Sequence, residues 1–299
     1  MSTTEAAPTA AQTVDQWLAR FDQALTAQDP AAAAELFGED AFWRDLVAFT
    51  WNIKTVEGPA GVQDMLEHTL AHTRPSNWRT TEEPAEAGGV TEAWLAFETA
   101  TGRGSGHLRL REGKAWTLLT TLDELTGHEE RKRDRRPMGA QHGAHPDRLT
   151  WLEERRREAD ELGHTRQPEV VIIGGGQGGI ALAARLRQLQ VPTIVVERNA
   201  RPGDSWRNRY KSLCLHDPVW YDHLPYLEFP DNWPVFSPKD KIADGLEMYT
   251  RVMEIDYWGS TPARGASYDE AAGKWRVVVE LDGAELVLRP HQLVLVTGM

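Results

Sequence analysis

Cysteine is nearly missing from this chain. Cys214 stands alone, which excludes an internal disulfide and a thiolate metal cluster and fits a reducing compartment. Basic residues are also outnumbered, 33 Lys and Arg against 45 Asp and Glu, for a net charge of −12. That balance argues against nucleic acid as the main partner, because a phosphate backbone needs a basic surface. No apolar run reaches the ~20 residues of a membrane-spanning helix. The N-terminus lacks the basic start and apolar block of a secretory leader. Together these absences predict a soluble, cytoplasmic protein that engages neither nucleic acid nor membrane. A length of 299 residues predicts about two domains, each with its own core.

What is present is organised around Val-Val-Ile-Ile-Gly-Gly-Gly-Gln-Gly-Gly-Ile, from Val170 to Ile180. The β-branched run reads as a strand buried on both faces. It enters a glycine cluster and then a helix with Ile180, Ala183, Leu186 and Leu189 on neighbouring faces. Gly174, Gly176 and Gly179 fit G-x-G-x-x-G, with Gln177 and Gly178 between them, and Glu197 ends the next predicted strand. An acid about 20 residues beyond the glycines completes a dinucleotide fingerprint. Gly174 allows a tight turn, Gly176 lets backbone approach a pyrophosphate, and Gly179 lets helix pack on strand. The helix N-terminus offers free N–H groups and partial positive charge to phosphates. Glu197 can accept hydrogen bonds from ribose hydroxyls.

Ahead of this lies a different pattern. Residues 1–12 are small and polar and predict disorder. Val14, Trp17, Leu18, Phe21 and Leu25 then mark a helix, and Asp29-Pro30 opens a second one running through Phe37. Residues 42–53 read as one aromatic-rich strand. Gly58-Pro59 begins a third helix carrying Val62, Met65, Leu66 and Leu70. Four strands follow, at 78–82, 90–99, 107–111 and 115–122. The order predicts an α+β domain over residues 13–126, with helices on one face of a curved sheet. Gly102-Arg-Gly-Ser-Gly106 reads as a hairpin turn, since no helix follows it. His68 and His72 lie four apart without a zinc-protease glutamate and read as a solvated or pocket-lining pair. Asp45 reads as part of a surface or structural ion pair, with a role as acid or base as the alternative.

Residues 127–167 are charged and rich in Pro and Gly and read as a linker containing an exposed helix over 147–162. His142, His145 and His164 are expected at its surface. Beyond the nucleotide fingerprint, residues 239–257 read as a helix, with Ile242, Leu246, Tyr249 and Met253 on one face. Residues 267–269, 274–281 and 285–288 read as a meander turning at Asp282-Gly283.

The first half resembles the ketosteroid-isomerase-like (SnoaL- or nuclear-transport-factor-like) cone fold in its opening helices, the strand 41–47, the helix 58–70 and the closing strands. That resemblance implies a ligand-binding, isomerase, dehydratase or dimerisation module and does not fix an activity. A homodimer through this domain is one implication. Residues 168–299 more specifically resemble the FAD-binding part of class B flavoprotein monooxygenases, the flavin-containing and Baeyer–Villiger enzymes. The glycine fingerprint, Glu197-Arg198, Gly203-x-x-Trp206, the segment from Tyr210 to Pro218, Phe229-Pro230 with Trp233-Pro234, and the closing Thr297-Gly298 carry the likeness.

The resemblance implies FAD at Gly174, Gly176, Gln177, Gly178 and Gly179, with its ribose on Glu197. Arg198, Ser205 and Trp206 would flank its ends, Ala263 the adenine, and Thr297-Gly298 would close over it. His216 is either a flavin contact or a structural histidine. Trp220, Tyr221 and Trp233 read as core or surface aromatics. Asp204 stands where the family commonly has a second glycine. The implied reaction is NADPH-dependent oxygen transfer through a flavin peroxide to a small organic substrate. No second G-x-G-x-x-G is present, so the α/β Rossmann-type domain reads as truncated, with the NADPH domain missing. The alternatives are FAD binding without turnover, or small-ligand or isomerase chemistry in the first domain. No catalytic residue and no metal ligand is assigned.

Overall fold

The computed structural model of the chain describes residues 8–139 and 147–298. His142 and His145 lie outside the described residues. The chain divides into two compact units, Met1–Glu129 and Glu130–Met299.

The first unit opens with α1 (Ala10–Thr26), so Ala10, Ala11 and Gln12 are helical, against the expectation of disorder there. The cause is a capping box: Thr9 Oγ1 accepts from Gln12 N at 3.3 Å, and Gln12 Oε1 accepts from Thr9 N at 2.9 Å. Each bond satisfies an N–H that the first helical turn would otherwise leave free. α2 (Pro30–Ala34) starts from Asp29, whose side chain accepts from Ala32 N. It is shorter than expected, because Phe37 already belongs to β1 (Phe37–Leu46). β2 (Ile53–Glu57), α3 (Gly58–Thr73), β3 (Ser76–Thr80), β4 (Ala85–Ala87), β5 (Val90–Glu98), β6 (Gly102–Arg111) and β7 (Lys114–Leu125) follow.

These strands form one sheet in the order β2-β1-β7-β6-β5-β3, with β4 also pairing β5. Only β1 and β7 run parallel; the remaining pairs are antiparallel. Alternate residues Ala93, Leu95, Phe97, Leu108 and Leu110 face the helices and join Trp17, Phe21, Met65 and Leu66 in one core. Aromatic rings dominate it: Trp17 stacks on Phe21 at 4.6 Å, and Trp78 stacks on Phe97 at 4.4 Å.

Two expectations in this unit are corrected. The glycine run Gly102–Gly106 is not a turn but the first half of β6, and the turn lies at residues 99–101. Its glycines answer crowding inside the sheet. A Cβ on Gly104 would lie 2.4 Å from Phe97 Cζ and 2.6 Å from the Thr121 carbonyl oxygen. The strand expected over 42–53 is also broken, because residues 47–52 form a loop wrapped around Asp45. That side chain is 0% exposed. It accepts from the N–H groups of Ala48, Phe49 and Thr50 and from the hydroxyls of Thr50 and Thr120, at 2.8–3.2 Å. Trp43 Nε1 in turn donates to Thr120 Oγ1 at 2.9 Å. Asp45 is therefore buried, and among the described residues it is hydrogen-bonded rather than in an ion pair. It holds the loop, in which Val47 and Trp51 take φ of 59° and 53°, a region β-branched and bulky residues avoid.

The second unit carries α4 (Trp151–Glu161), capped by Thr150 with Glu153. It is exposed as expected, with none of its residues buried, but Arg155 ties it to the rest of the unit. Arg155, its side chain 14% exposed, donates to Glu254 O at 3.0 Å and Asp256 Oδ1 at 3.2 Å. Burial raises the Asp256 carboxyl above its ordinary range, against the pull of Arg155 and Arg187. Arg155→Ala should lower stability by on the order of 2 kcal/mol at neutral pH. Removing the cation raises the folded-state pKa further, so the deficit should shrink as acidification protonates Asp256. Urea unfolding at neutral and mildly acidic pH measures this; an unchanged deficit would count against the pairing.

The nucleus of this unit is β8 (Val170–Ile173), α5 (Gln177–Gln188) and β9 (Thr193–Val196). α6 (Asp204–Arg207) and α7 (Lys239–Val252) follow, then β10 (Tyr257–Trp258). Tyr257 was expected to end a helix; it lies in a strand because α7 stops at Val252 and Glu254 turns at φ 52°. β11 (Ala263–Asp269), β12 (Lys274–Leu281) and β13 (Ala284–Leu288) make the meander, turning at Asp282 and Gly283. β14 (Gln292–Leu295) returns to complete a parallel sheet in the order β10-β9-β8-β14.

Candidate functional site

β8 lies between β9 and β14, and all three end at the same edge. The chain leaves β8 toward β9 and β10 on one side and returns at β14 on the other, the kind of switch point beyond whose strand ends open α/β sheets bind ligands. The turn Gly174–Gly176 follows β8 at that point.

The glycines have distinct physical roles. Gly174 has φ 112°, and a Cβ there would meet Val296 O at 2.2 Å. A Cβ on Gly179 would lie 2.0 Å from Gly174 O, and one on Gly178 would lie 3.0 Å from Val296 Cγ1. Those residues let the turn, the helix and the end of β14 pack together. Gly176 differs. Its φ of −77° and ψ of −174° suit any residue, and its nearest neighbour would be Ser205 Oγ at an ordinary 3.8 Å. The fold does not require glycine there.

Two further features converge on Gly176. It is the N-cap of α5, yet no side chain caps this helix, so the first-turn N–H groups remain available to an anion. Ser205 Oγ is buried and has no hydrogen-bond partner among the described residues. An unsatisfied buried hydroxyl costs about 1–3 kcal/mol. A ligand oxygen lying over Gly176 would satisfy it.

Glu197 follows β9 and is 9% exposed. Its Oε2 accepts from Gly175 N at 2.7 Å, and its Oε1 from Asn199 N at 2.9 Å and Asn199 Nδ2 at 2.6 Å. The acid is thus fastened to the glycine turn itself. Tyr257 supports the turn from beside it. A Cβ on Gly175 would strike the Tyr257 ring at 2.4 Å, and Tyr257 Oη donates to Gly175 O at 3.4 Å. Burial, then the nearby charges of Glu197 and Asp204, push the Tyr257 phenol upward, keeping it a donor. Neither Asn199 nor Tyr257 was expected in the site.

The Gly203–Trp206 segment is docked on α7. Gly203 has φ 87°, and a Cβ would lie 2.3 Å from Ala243 O. Asp204, in place of a second glycine, accepts from Arg201 N at 3.0 Å and pairs with Arg207 at 3.0 Å. Arg207 also reaches Asp244 and Glu247 at 2.8 and 2.7 Å. This lattice fixes Ser205 and Trp206, and Trp206 Nε1 donates to Gln177 Oε1 at 3.0 Å.

Gly174, Gly176, Gln177, Gly178, Gly179, Glu197, Ser205 and Trp206 thus form one neighbourhood. Thr297 N lies close to Gly174, and Gly298 turns at φ 79° just beyond. Thr261 N donates to Glu197 O at 2.8 Å, and Ala263 begins β11 two residues later. Arg198 and His216 are exposed, and among the described residues no hydrogen bond or ion pair joins them to the turn. Trp220 and Tyr221 are exposed, whereas Trp233 stacks on Phe229 at 4.7 Å. The described residues contain no group of His, Cys, Asp and Glu arranged to hold a metal ion. None of their helices is long and apolar enough to cross a membrane.

No family model matches the chain. Over 143 residues it is 37% identical to the indole-3-pyruvate monooxygenase YUCCA1 of Oryza sativa subsp. japonica, covering 48% of this chain and 34% of that one. A CzcO-like uncharacterised oxidoreductase of Geobacillus kaustophilus (strain HTA426) is 38% identical over 87 residues, 29% of this chain and 25% of the relative. Among solved structures, a flavin-containing monooxygenase from Stenotrophomonas maltophilia shares 23% identity at a TM-score of 0.40, over 44% of this chain and 38% of that one. The chain spans roughly a third of the length of its rice relative and is similar, over that span, to a monooxygenase.

Proposed function

We propose that the second unit is the FAD-binding part of an NADPH-dependent flavin monooxygenase acting on a small organic substrate. The observation that carries this is Gly176: a glycine the fold does not need, at an uncapped helix start, facing a buried hydroxyl with no partner among the described residues. Those residues fit a pyrophosphate. The first-turn N–H groups of α5 would hold its oxygens, Ser205 Oγ would donate to one of them, and Glu197 would accept from the adenosine ribose. Trp206 and Gln177 would bound the phosphate end through their mutual hydrogen bond, with Ala263 toward the adenine. Arg198, His216, Thr297 and Gly298 belong to the proposed site through the family resemblance. Bound there, FAD would supply redox chemistry, taking a hydride from NADPH and passing electrons to oxygen. The similarity to a plant monooxygenase supports that reading.

The first unit, with three helices over one face of its sheet, supports a ketosteroid-isomerase-like domain over residues 13–126. Its uncovered face exposes Phe42, Ile53 and Trp94, which supports self-association into a homodimer.

The recombinant chain is expected to purify yellow or to turn yellow with added FAD. Gly176→Asp should abolish retention, because its carboxylate would occupy the phosphate position and repel it. Ser205→Ala should weaken FAD about tenfold, one hydrogen bond to a charged group. Equilibrium titration followed by flavin fluorescence reads both. A wild-type chain that is colourless once excess FAD has been added and the unbound flavin removed overturns the proposal.

A further inference from the structure

Glu197 is more fully occupied than a ribose-binding acid needs to be. A carboxylate offers about four acceptor positions, two on each oxygen. Asn199 fills both positions of Oε1, with its peptide N–H at 2.9 Å and its carboxamide at 2.6 Å, and Gly175 N fills one position of Oε2 at 2.7 Å. One acceptor position remains, on Oε2. Its backbone is fixed as well: the peptide N–H donates to Trp258 O at 3.0 Å and the carbonyl accepts from Thr261 N at 2.8 Å.

We infer that Asn199 is a positioning and specificity residue: by saturating Oε1 it makes Glu197 present a single acceptor to the nucleotide, so that one ribose hydroxyl is read rather than both. This rests on the nucleotide reading of the site given above. Removing the carboxamide frees a position on Oε1. The second hydroxyl then gains a partner, and the recognition becomes two-pronged. A residue that merely stiffened the loop would weaken all nucleotides alike and would leave the choice between hydroxyls untouched.

The test is calorimetric binding of ADP, 2′-deoxy-ADP and 3′-deoxy-ADP to the full chain. In the wild type one deoxy analogue should bind as ADP does, and the other should bind about tenfold more weakly. In Asn199→Ala both analogues should fall below ADP, closing the gap between them to about twofold. Asn199→Leu, close to asparagine in shape but without a donor, serves if the alanine variant does not fold. A wild type that treats both deoxy analogues alike overturns the inference, as does a gap that survives intact in the variant. A wild type that binds neither ADP nor FAD overturns the nucleotide reading itself, a separate result.

Discussion

Gly174→Ala and Gly179→Ala should each unfold the second unit or lower its stability by more than about 3 kcal/mol. Gly176→Ala, one turn away, should shift stability by less than about 1 kcal/mol. The contrast follows from what a methyl group would meet. At Gly174 it would lie 2.2 Å from Val296 O, on a backbone at φ 112°. At Gly179 it would lie 2.0 Å from Gly174 O. Both obstacles are backbone atoms at the end of a packed parallel sheet and cannot move aside singly. At Gly176 the methyl would find only a serine hydroxyl at 3.8 Å. Urea denaturation without ligand separates the cases. Equal losses at all three positions would show that Gly176, too, serves the fold, and would remove the main support for a ligand there.

A loss of similar size is expected in the first unit from Asp45→Ala, about 3–5 kcal/mol. The substitution strands the N–H groups of Ala48, Phe49 and Thr50 with no acceptor, and each orphaned buried donor costs about 1–3 kcal/mol. It also releases a loop holding Val47 and Trp51 at positive φ, about 1–3 kcal/mol apiece in stored strain. The strain relief offsets part of the loss, so the two terms should not simply add. Asp45→Asn should cost less, because one oxygen still accepts, but its amide then faces donors. Thermal unfolding of the two variants tests the order. An Asp45→Ala chain as stable as wild type would mean that the loop finds other partners.

The second unit was legible where chemistry and geometry demand the same residue. Gly174 and Gly179 are irreplaceable on steric grounds, and the acid at Glu197 ends a strand whose β-branched run leaves little choice of conformation. Signals failed where the reason for a residue lies far away in sequence. Gly104 looks like turn material until Phe97 and Thr121 are seen pressed against it. Asp45 looks like a surface charge because its donors come from a loop whose backbone twist no local pattern announces. Tyr257 was absorbed into a helical period that continued on paper past Val252, with neither Gly nor Pro to stop it. Asn199 carries no motif at all; its role depends on a carboxylate two residues back and on what that carboxylate already holds.

The placing of Val296 against Gly174 has a consequence for the order in which this unit is made. Gly174 N donates to Val196 O, and Val296 N donates to Ile173 O, so the glycine turn is clasped between segments a hundred residues apart in synthesis. On the ribosome, β8, α5 and β9 emerge early but lack the far wall of their turn. The site cannot reach its final shape until the segment through Val296 clears the exit tunnel and inserts alongside. Nucleotide capture should therefore report completion of the sheet, and stalled nascent chains lacking that segment should bind FAD far more weakly than released ones.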